Sequence, residues 1–327
     1  MQTIGIIGQG FVGTAVREGM RHAFDVMTYD KKEPNLLRRF DANGGSSSAG
    51  DYDDPLLELL YKVDGPIFLC LPTPMRPDGS CDTRIVEGVI EQVADYVLYH
   101  NANSELHGDE PLDCIMVLKS TVPPGFTDKM NQKFPNVSVV FNPEFLTEAN
   151  AARDFRNQNR IILGRSEGDN YSAAMGTVHQ MYSTAYPWVP QVVMRAKEAE
   201  LVKYFTNCAL ACRVSLANEF CLVAEALGVD YKTVIDAVKL DRRVGATHWD
   251  VPGPDGKRGF GGSCFPKDLN GLRKVAEDLG VYARNLWAAW KTNLDVRPER
   301  DWENLVGRAV SAEPEKMIRP PVCAVEE

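Results

Sequence analysis

"TIGIIGQGFVG", from Thr3 to Gly13, decides the fold. An apolar, β-rich run meets Gly8, Gly10 and Gly13 in the spacing GxGxxG, and the helical stretch "VGTAVREGMRHA" follows at once. Glycines in a strand-to-helix turn let the backbone bend tightly and approach a pyrophosphate, whose charge the free N–H groups of the helix start attract. The motif alone is weak, but here it stands in the required context. The next apolar run, "FDVMTYD", ends in Asp30, about 20 residues on, where a carboxylate can accept hydrogen bonds from both ribose hydroxyls of a dinucleotide. Asp30 repels a 2′-phosphate and so favours NAD over NADP, while Lys31 and Lys32 beside it pull the other way.

Outward from this turn, the apolar runs "GPIFLCLP", "CIMVLKS", "VSVVFNP" and "RIILG" alternate with "DPLLELLYKV" and "TRIVEGVIEQVADYVLYH", which have helical spacing. Such alternation predicts an α/β fold, a Rossmann-like doubly wound parallel sheet with right-handed crossovers, over residues 1–195. "DANGGSSSAGD" and "NANSELHGDEPLD" read as surface loops. After Arg195 the strand signal stops, and "KEAELVKYFTNCALACRVSLANEFCLVAEALG" reads as one long helix closed by Gly228. A second helix, "DYKTVIDAVKL", starts from Asp230 as N-cap. The long helix is apolar on much of its circumference and needs partners on several sides, which predicts an all-helical domain over 196–295 and a homodimer through that helix. Residues 296–327, ending in "SAEPEKMIRPPVCAVEE", read as a C-terminal tail.

Composition narrows the setting. The 327 residues suffice for two domains, and 44% hydrophobic with 25% charged residues is ordinary for a globular protein. A net charge of -9 argues against nucleic acid as the main partner. The N-terminus has no basic leader, and no apolar run approaches the roughly 20 residues that span a bilayer, so the expectation is a cytoplasmic protein without a membrane partner. Eight scattered cysteines, without CxxC or a Cys/His cluster, predict neither a disulfide framework nor a metal site.

Several stretches carry candidate chemistry. "CLPTP" (Cys70–Pro74) and "KSTVPPG" (Lys119–Gly125) each follow a strand and so belong to the ligand-binding edge of the sheet. Thr73, Ser120 and Thr121 supply hydroxyls there beside cofactor or substrate, although rigid loops without function read the same way. "FNPEFLTEANAARDF" brings Glu144, Glu148 and Asp154 to that edge inside an apolar frame. On the long helix Lys203 and Asn207 share a face. Leu201, Val202, Tyr204 and Phe205 around Lys203 point to a lined cleft rather than to open water. Finally, "GFGGSCFPKD" (Gly259–Asp268) sets a thiol among glycines with Lys267 and Asp268 behind it.

Taken together, "GQGFVG", "CLPTP", "STVPPG", "NPEFLTE", the Lys-xxx-Asn helix, "DRRVG" and "GFGGSCFPKD" closely resemble the UDP-glucose 6-dehydrogenase family, within the wider UDP-glucose/GDP-mannose dehydrogenases, from Thr3 to about Asp295. The resemblance implies NAD-dependent oxidation of a sugar-nucleotide alcohol, foremost UDP-glucose, to the carboxylate in two hydride transfers without release of the aldehyde, in the supply of uronic acid for a polysaccharide. It makes Cys264 the nucleophile, which adds to the aldehyde as a thiohemiacetal that becomes a thioester. It also makes Lys203 the oxyanion stabiliser with Asn207 as its neighbour, Asp268 a helper in activating water, Thr121 and Glu148 the water-positioning and basic groups, and Glu144 a second acid. Cofactor contacts implied are Gly8, Gly10, Phe11, Val12, Gly13, Asp30, Pro72, Thr73, Ser120, Thr121 and Lys267. Substrate contacts implied are Glu144, Phe145, Leu146, Lys203, Asn207, Phe260 and Gly261, with Arg243 reaching across a dimer interface.

Two departures stand out. Thr147 occupies a position where the family usually has arginine. The family also continues into a second Rossmann-like domain that grips the nucleotide, and the sequence after Trp302 is too short to make one. Two other readings remain at this level. A single-step 3-hydroxyacid dehydrogenase shares the fold and the Lys-xxx-Asn pair but needs no thiol. A non-catalytic remnant would bind only NAD or a dimer partner.

Overall fold

The computed structural model of the chain describes residues 1–41, 45–51, 54–107 and 110–312. Two compact units emerge, one of Met1–Pro72 with Thr83–Lys203, the other of Thr73–Asp82 with the chain from Tyr204 onward.

The first unit runs β1 (Thr3–Ile7), α1 (Phe11–Met20), β2 (Asp25–Tyr29), β3 (Leu36–Phe40), β4 (Ser46–Asp51), α2 (Pro55–Lys62), β5 (Ile67–Leu69) and α3 (Arg84–His107). It continues through β6 (Ile115–Leu118), α4 (Phe126–Lys133), β7 (Ser138–Phe141), α5 (Ala151–Arg156), β8 (Ile161–Arg165), α6 (Asp169–Ala185), β9 (Gln191–Arg195) and the start of α7 (Ala196–Ala226). Among the described residues these strands form one sheet in the order β4-β3-β2-β1-β5-β6-β7-β8-β9. The central strands are parallel and the order reverses about β1, as in a doubly wound sheet. Alternate residues feed two apolar layers. Met116 and Leu118 pack with α2, α3 and α4, whereas Val117 and Phe68 face the layer of α1 and α6. Strands covered on both faces read as unbroken apolar runs, which is why the sequence exposes them so clearly.

Three strands escape that reading. β3 buries only Leu37 fully, and β4 is "SSSAGD", so this edge hairpin has the composition of a loop. The hairpin is antiparallel within itself and against β2, and β7 pairs antiparallel with β8, so the sheet departs from the fully parallel expectation. β9 is an edge strand whose Val192 and Val193 are exposed. The stretch read as a loop at 101–113 is helical through His107, with residues 108–109 outside the described part. Its polar side chains work locally: Asn101 Nδ2 donates to Leu112 O and Asn101 Oδ1 accepts the Leu112 N–H, while Ser104 Oγ donates to Asn101 O.

The second unit contains the rest of α7, then α8 (Tyr231–Val238), α9 (Phe265–Asp278) and α10 (Arg284–Val296). α7 ends in a Schellman arrangement: Gly228 takes φ +68, its N–H donates to Glu225 O, and the Val229 N–H donates to Ala224 O. Asp230 caps α8 by accepting the N–H groups of Lys232 and Thr233, a contact worth about 1 kcal/mol. Of the stretch read as a tail, Arg297 and Trp302 are buried, and Met75 exchanges backbone bonds with Ala309 and Ser311. Residues 313–327 lie outside the described part. Among the described residues no helix is long and apolar enough to cross a membrane.

The glycine turn after β1 is set by close packing. A Cβ on Gly8 would lie 2.4 Å from Cys70 O, and one on Gly13 only 1.9 Å from Gly8 O, both against backbone that cannot yield. At Gly10, by contrast, no described atom comes within 4 Å. Gly13→Ala should therefore cost about 1–3 kcal/mol and lower Tm in a thermal melt, whereas Gly10→Ala should leave Tm within experimental scatter. Equal effects of the two substitutions would contradict this account of the turn.

Candidate active site

In the first unit the loops after β1, β5, β6 and β7 share the carboxyl edge of the sheet. Asp30, at the end of β2, accepts the Gln9 N–H at 2.6 Å and the Lys32 N–H at 2.9 Å, so it holds the glycine turn in place. Gly10 begins α1 without a side-chain cap, and the space beside it is open, as a pyrophosphate on the free N–H groups of Phe11, Val12 and Gly13 requires. The residues present therefore fit a dinucleotide. Pro72 is half-buried where the first unit ends. Ser120 Oγ donates to Leu71 O at 2.7 Å and accepts the Leu71 N–H at 3.0 Å, so its proton ties two loops together. Thr121 beside it is buried.

Glu200 of α7 anchors the far end of "KSTVPPG". Its carboxylate accepts from the N–H groups of Gly125 and Thr127 and from Thr127 Oγ1. Burial pushes it up to about 7 against the pull of these donors. One turn on, Lys203 is only 2% exposed. Its Nζ donates to Glu144 O at 2.5 Å and to Glu144 Oε1 at 2.9 Å, and lies 5.4 Å from the Phe145 ring. Burial alone would raise the Glu144 carboxyl, but Lys203, the Leu146 N–H and Lys119 together hold it below its ordinary range.

Two of the four neighbours expected to line a cleft around Lys203 point to solvent instead. Leu201 is exposed and Phe205 is 68% exposed, because neighbours one or two positions away on a helix point to other faces. The three acids of the β7 loop also part company. Glu144 is buried in the ion pair, and Glu148 opens an exposed 3-10 turn, Glu148–Asn150. Asp154 accepts from Thr147 N at 2.9 Å and from Thr147 Oγ1 at 2.5 Å, a local tie that occupies the position where an arginine was expected. Leu146 and Phe145 are half-buried in the same loop.

The second unit holds the thiol. Cys264 is half-buried at the N-cap of α9, with Pro266 in the first turn and Ser263 Oγ 3.8 Å from its sulfur. Asp268, 1% exposed, accepts Asn207 Nδ2 at 2.6 Å and Lys267 Nζ at 2.5 Å. Burial would lower the Lys267 ammonium, but Asp268 and the thiols of Cys264 and Cys81 outweigh it and hold the group above its ordinary range. Thr73 is buried in this unit, and Cys81 Sγ lies 4.0 Å from its carbonyl.

The glycine loop before Cys264 is clamped by residues that sequence reasoning missed. Asn293 accepts the Phe260 N–H and donates to Phe260 O, and Asn218 accepts the Gly259 N–H. Buried Arg297 donates to Asp301 Oδ1, to Asp255 Oδ2 and to Arg258 O. A Cβ on Gly261 would lie 2.5 Å from both Arg297 and Asp301, so this glycine admits the clamp. Arg297 and Asp301 are four apart in "RPERD", which reads as solvated charge. Arg243 is 89% exposed and pairs with Asp241 in its own turn.

Comparison with known proteins gives this arrangement a family. Residues 62–185 match the NAD-binding domain and residues 197–295 the central domain of the UDP-glucose/GDP-mannose dehydrogenase family. A putative UDP-glucose 6-dehydrogenase of Bacillus subtilis is 34% identical over 219 residues, covering 65% of this chain and 46% of that protein. The structure of a UDP-glucose dehydrogenase from Pyrobaculum islandicum superposes with a TM-score of 0.73 at 29% identity, over 93% of this chain and 70% of that one. A Mycobacterium tuberculosis 3-hydroxyisobutyrate dehydrogenase shares the fold alone, with a TM-score of 0.64 at 16% identity over 92% of this chain and 95% of its own. The chain spans about half the length of several curated relatives it matches. The match to the family's NAD-binding domain indicates NAD as the cofactor. Matched in two successive domains that together make up more than half its length, the chain belongs to the UDP-glucose/GDP-mannose dehydrogenase family.

Proposed function

We propose that this protein oxidises the C6 alcohol of a sugar nucleotide, UDP-glucose foremost, to the carboxylate in two NAD-dependent steps. The observation that supports it best is Cys264 at the start of α9, its thiol among the groups that hold the Lys267 ammonium above its ordinary range. A single hydride transfer needs no such group.

In this reading Lys203 stabilises the oxygen of the alcohol as its proton leaves, and NAD when bound accepts hydride. The Cys264 sulfur then adds to the aldehyde carbon, giving a thiohemiacetal. Loss of a second hydride makes a thioester, and water cleaves it, returning the thiol and releasing the acid. Lys203 supports the oxyanion of each tetrahedral stage. Asn207 and Lys267 orient Asp268 through their bonds to its two oxygens, and Asp268 helps to activate the water. Thr121 and exposed Glu148 complete the water-handling set, and Glu144 pairs with Lys203 and holds its Nζ in place. Arg243 is free of the core to reach a substrate bound by a second copy.

A homodimer fits the helical surface. Leu216, Phe220 and Val223 of α7 and Leu227 just after it are exposed, and their spacing of four, three and four makes one apolar stripe, with Val234 and Val238 of α8 also exposed. We propose that a second copy covers it.

Four outcomes follow. With NAD and UDP-glucose, two NADH should form per acid, measured by absorbance against chromatographed product; one NADH would mark a single-step dehydrogenase. Cys264→Ala should abolish acid formation while NAD still binds by calorimetry. Asp301→Ala should loosen the Cys264 loop and lower kcat about 10- to 100-fold without changing NAD affinity, and a kcat within twofold of wild type would remove the clamp from the mechanism. Light scattering should give a dimer for the wild type and a monomer for Phe220→Glu combined with Val223→Glu; a wild-type monomer would end the dimer proposal.

A further inference from the structure

Two lysines from different elements grip one turn of the first unit. Lys119, at the end of β6 and 3% exposed, donates from Nζ to Asn142 Oδ1 at 2.9 Å and to Pro143 O at 3.3 Å. Lys203 takes the next carbonyl, Glu144 O, together with the Glu144 carboxylate. Asn142 is itself fixed, since its Oδ1 also accepts Tyr182 Oη at 2.5 Å and its Nδ2 donates to Ile162 O at 2.8 Å. The Asn142–Pro143–Glu144 turn therefore has little freedom except as the two lysines allow.

Charge balance makes the arrangement more than a brace. The buried cluster holds two lysines and one carboxylate, and Glu144 is committed to Lys203. Both hydrogen-bond acceptors of Lys119 are neutral. The other groups facing it are the Cys70 thiol after β5, pushed by burial up to about 12, and the Phe155 ring of α5 at 5.6 Å, with Tyr182 of α6 reached through Asn142. Burial raises the Tyr182 hydroxyl well above its ordinary range, so it too is neutral. The groups that bear on the Lys119 charge are thus Cys70, Glu144 and Lys203.

We propose that Lys119 is a positioning residue for the Glu144–Lys203 pair, setting the turn that aims Lys203 and coupling its own charge to theirs. Burial and the nearby Lys203 lower the Lys119 ammonium to about 8, against the opposing pull of Cys70 and Glu144. Below that pH the cluster carries an excess positive charge that favours an oxyanion near Lys203; above it the excess is gone. This kinetic consequence rests on the role proposed for Lys203, whereas the coupling itself does not.

The test uses the full chain labelled with carbon-13 at lysine Cε. One NMR resonance, absent from Lys119→Arg, should titrate with a midpoint of about 8. That midpoint should rise in Lys203→Met, where a like charge is removed, and fall in Glu144→Gln, where an opposite one is. A midpoint near the ordinary lysine value of about 10.4, or one that neither substitution moves, would overturn the proposal. In turnover assays kcat of the wild type should decline as pH rises through 8, while Lys119→Arg, which keeps its proton, should hold its rate to higher pH. An identical decline in both proteins would also count against it. Absence of turnover with every sugar nucleotide would sink the reaction proposed above, and the titrations would still decide the role of Lys119.

Discussion

A charge removed from water must find a partner, and much of this structure follows from that requirement. Lys203 sits on the first turns of α7 within the first unit, and its buried Nζ is met there by the Glu144 carboxylate and by one backbone carbonyl, Glu144 O. The turn after β7 is consequently placed with respect to α7 by electrostatics as well as by packing. Glu200, one helical turn earlier, does the same for the loop after β6 through the N–H groups of Gly125 and Thr127. α7 thus organises two loops of the sheet edge through two buried side chains spaced three apart.

The second unit repeats the principle with the signs exchanged. Asp268 is the buried charge, and Asn207 and Lys267 satisfy it from α7 and α9. Arg297 is buried against Asp301 and Asp255, and the glycine loop before Cys264 is wrapped on that network. A reactive thiol needs a fixed approach more than it needs flexibility. The glycines of "GFGGSC" accordingly serve close contact with Arg297, Asp301 and Asn293.

Legibility in the sequence varied with the kind of constraint. Strands buried on both faces announced themselves as apolar runs, and the helix caps at Gly228 and Asp230 were readable because a cap is a local event. The edge hairpin of β3 and β4 was not, since a strand such as "SSSAGD" pairs through its backbone and carries no apolar run to announce it. The linear neighbours of Lys203 misdirected the reading of its surroundings, and the grouping of Glu144, Glu148 and Asp154 treated three acids with three different partners as one set. Lys119 ended an apolar strand in plain view, yet a lysine after a strand usually reaches water. Arg297 offered no signal at all.

By itself the sequence determined the buried strands of the sheet, the long helix with its cap, and the glycine turn after β1, because periodicity, capping and glycine spacing are properties of near neighbours. Only the tertiary structure decided which of those charges are buried and with whom. Desolvation depends on atoms brought together from distant parts of the chain, as Glu144 is to Lys203 and Gly261 to Arg297, and no local pattern records it.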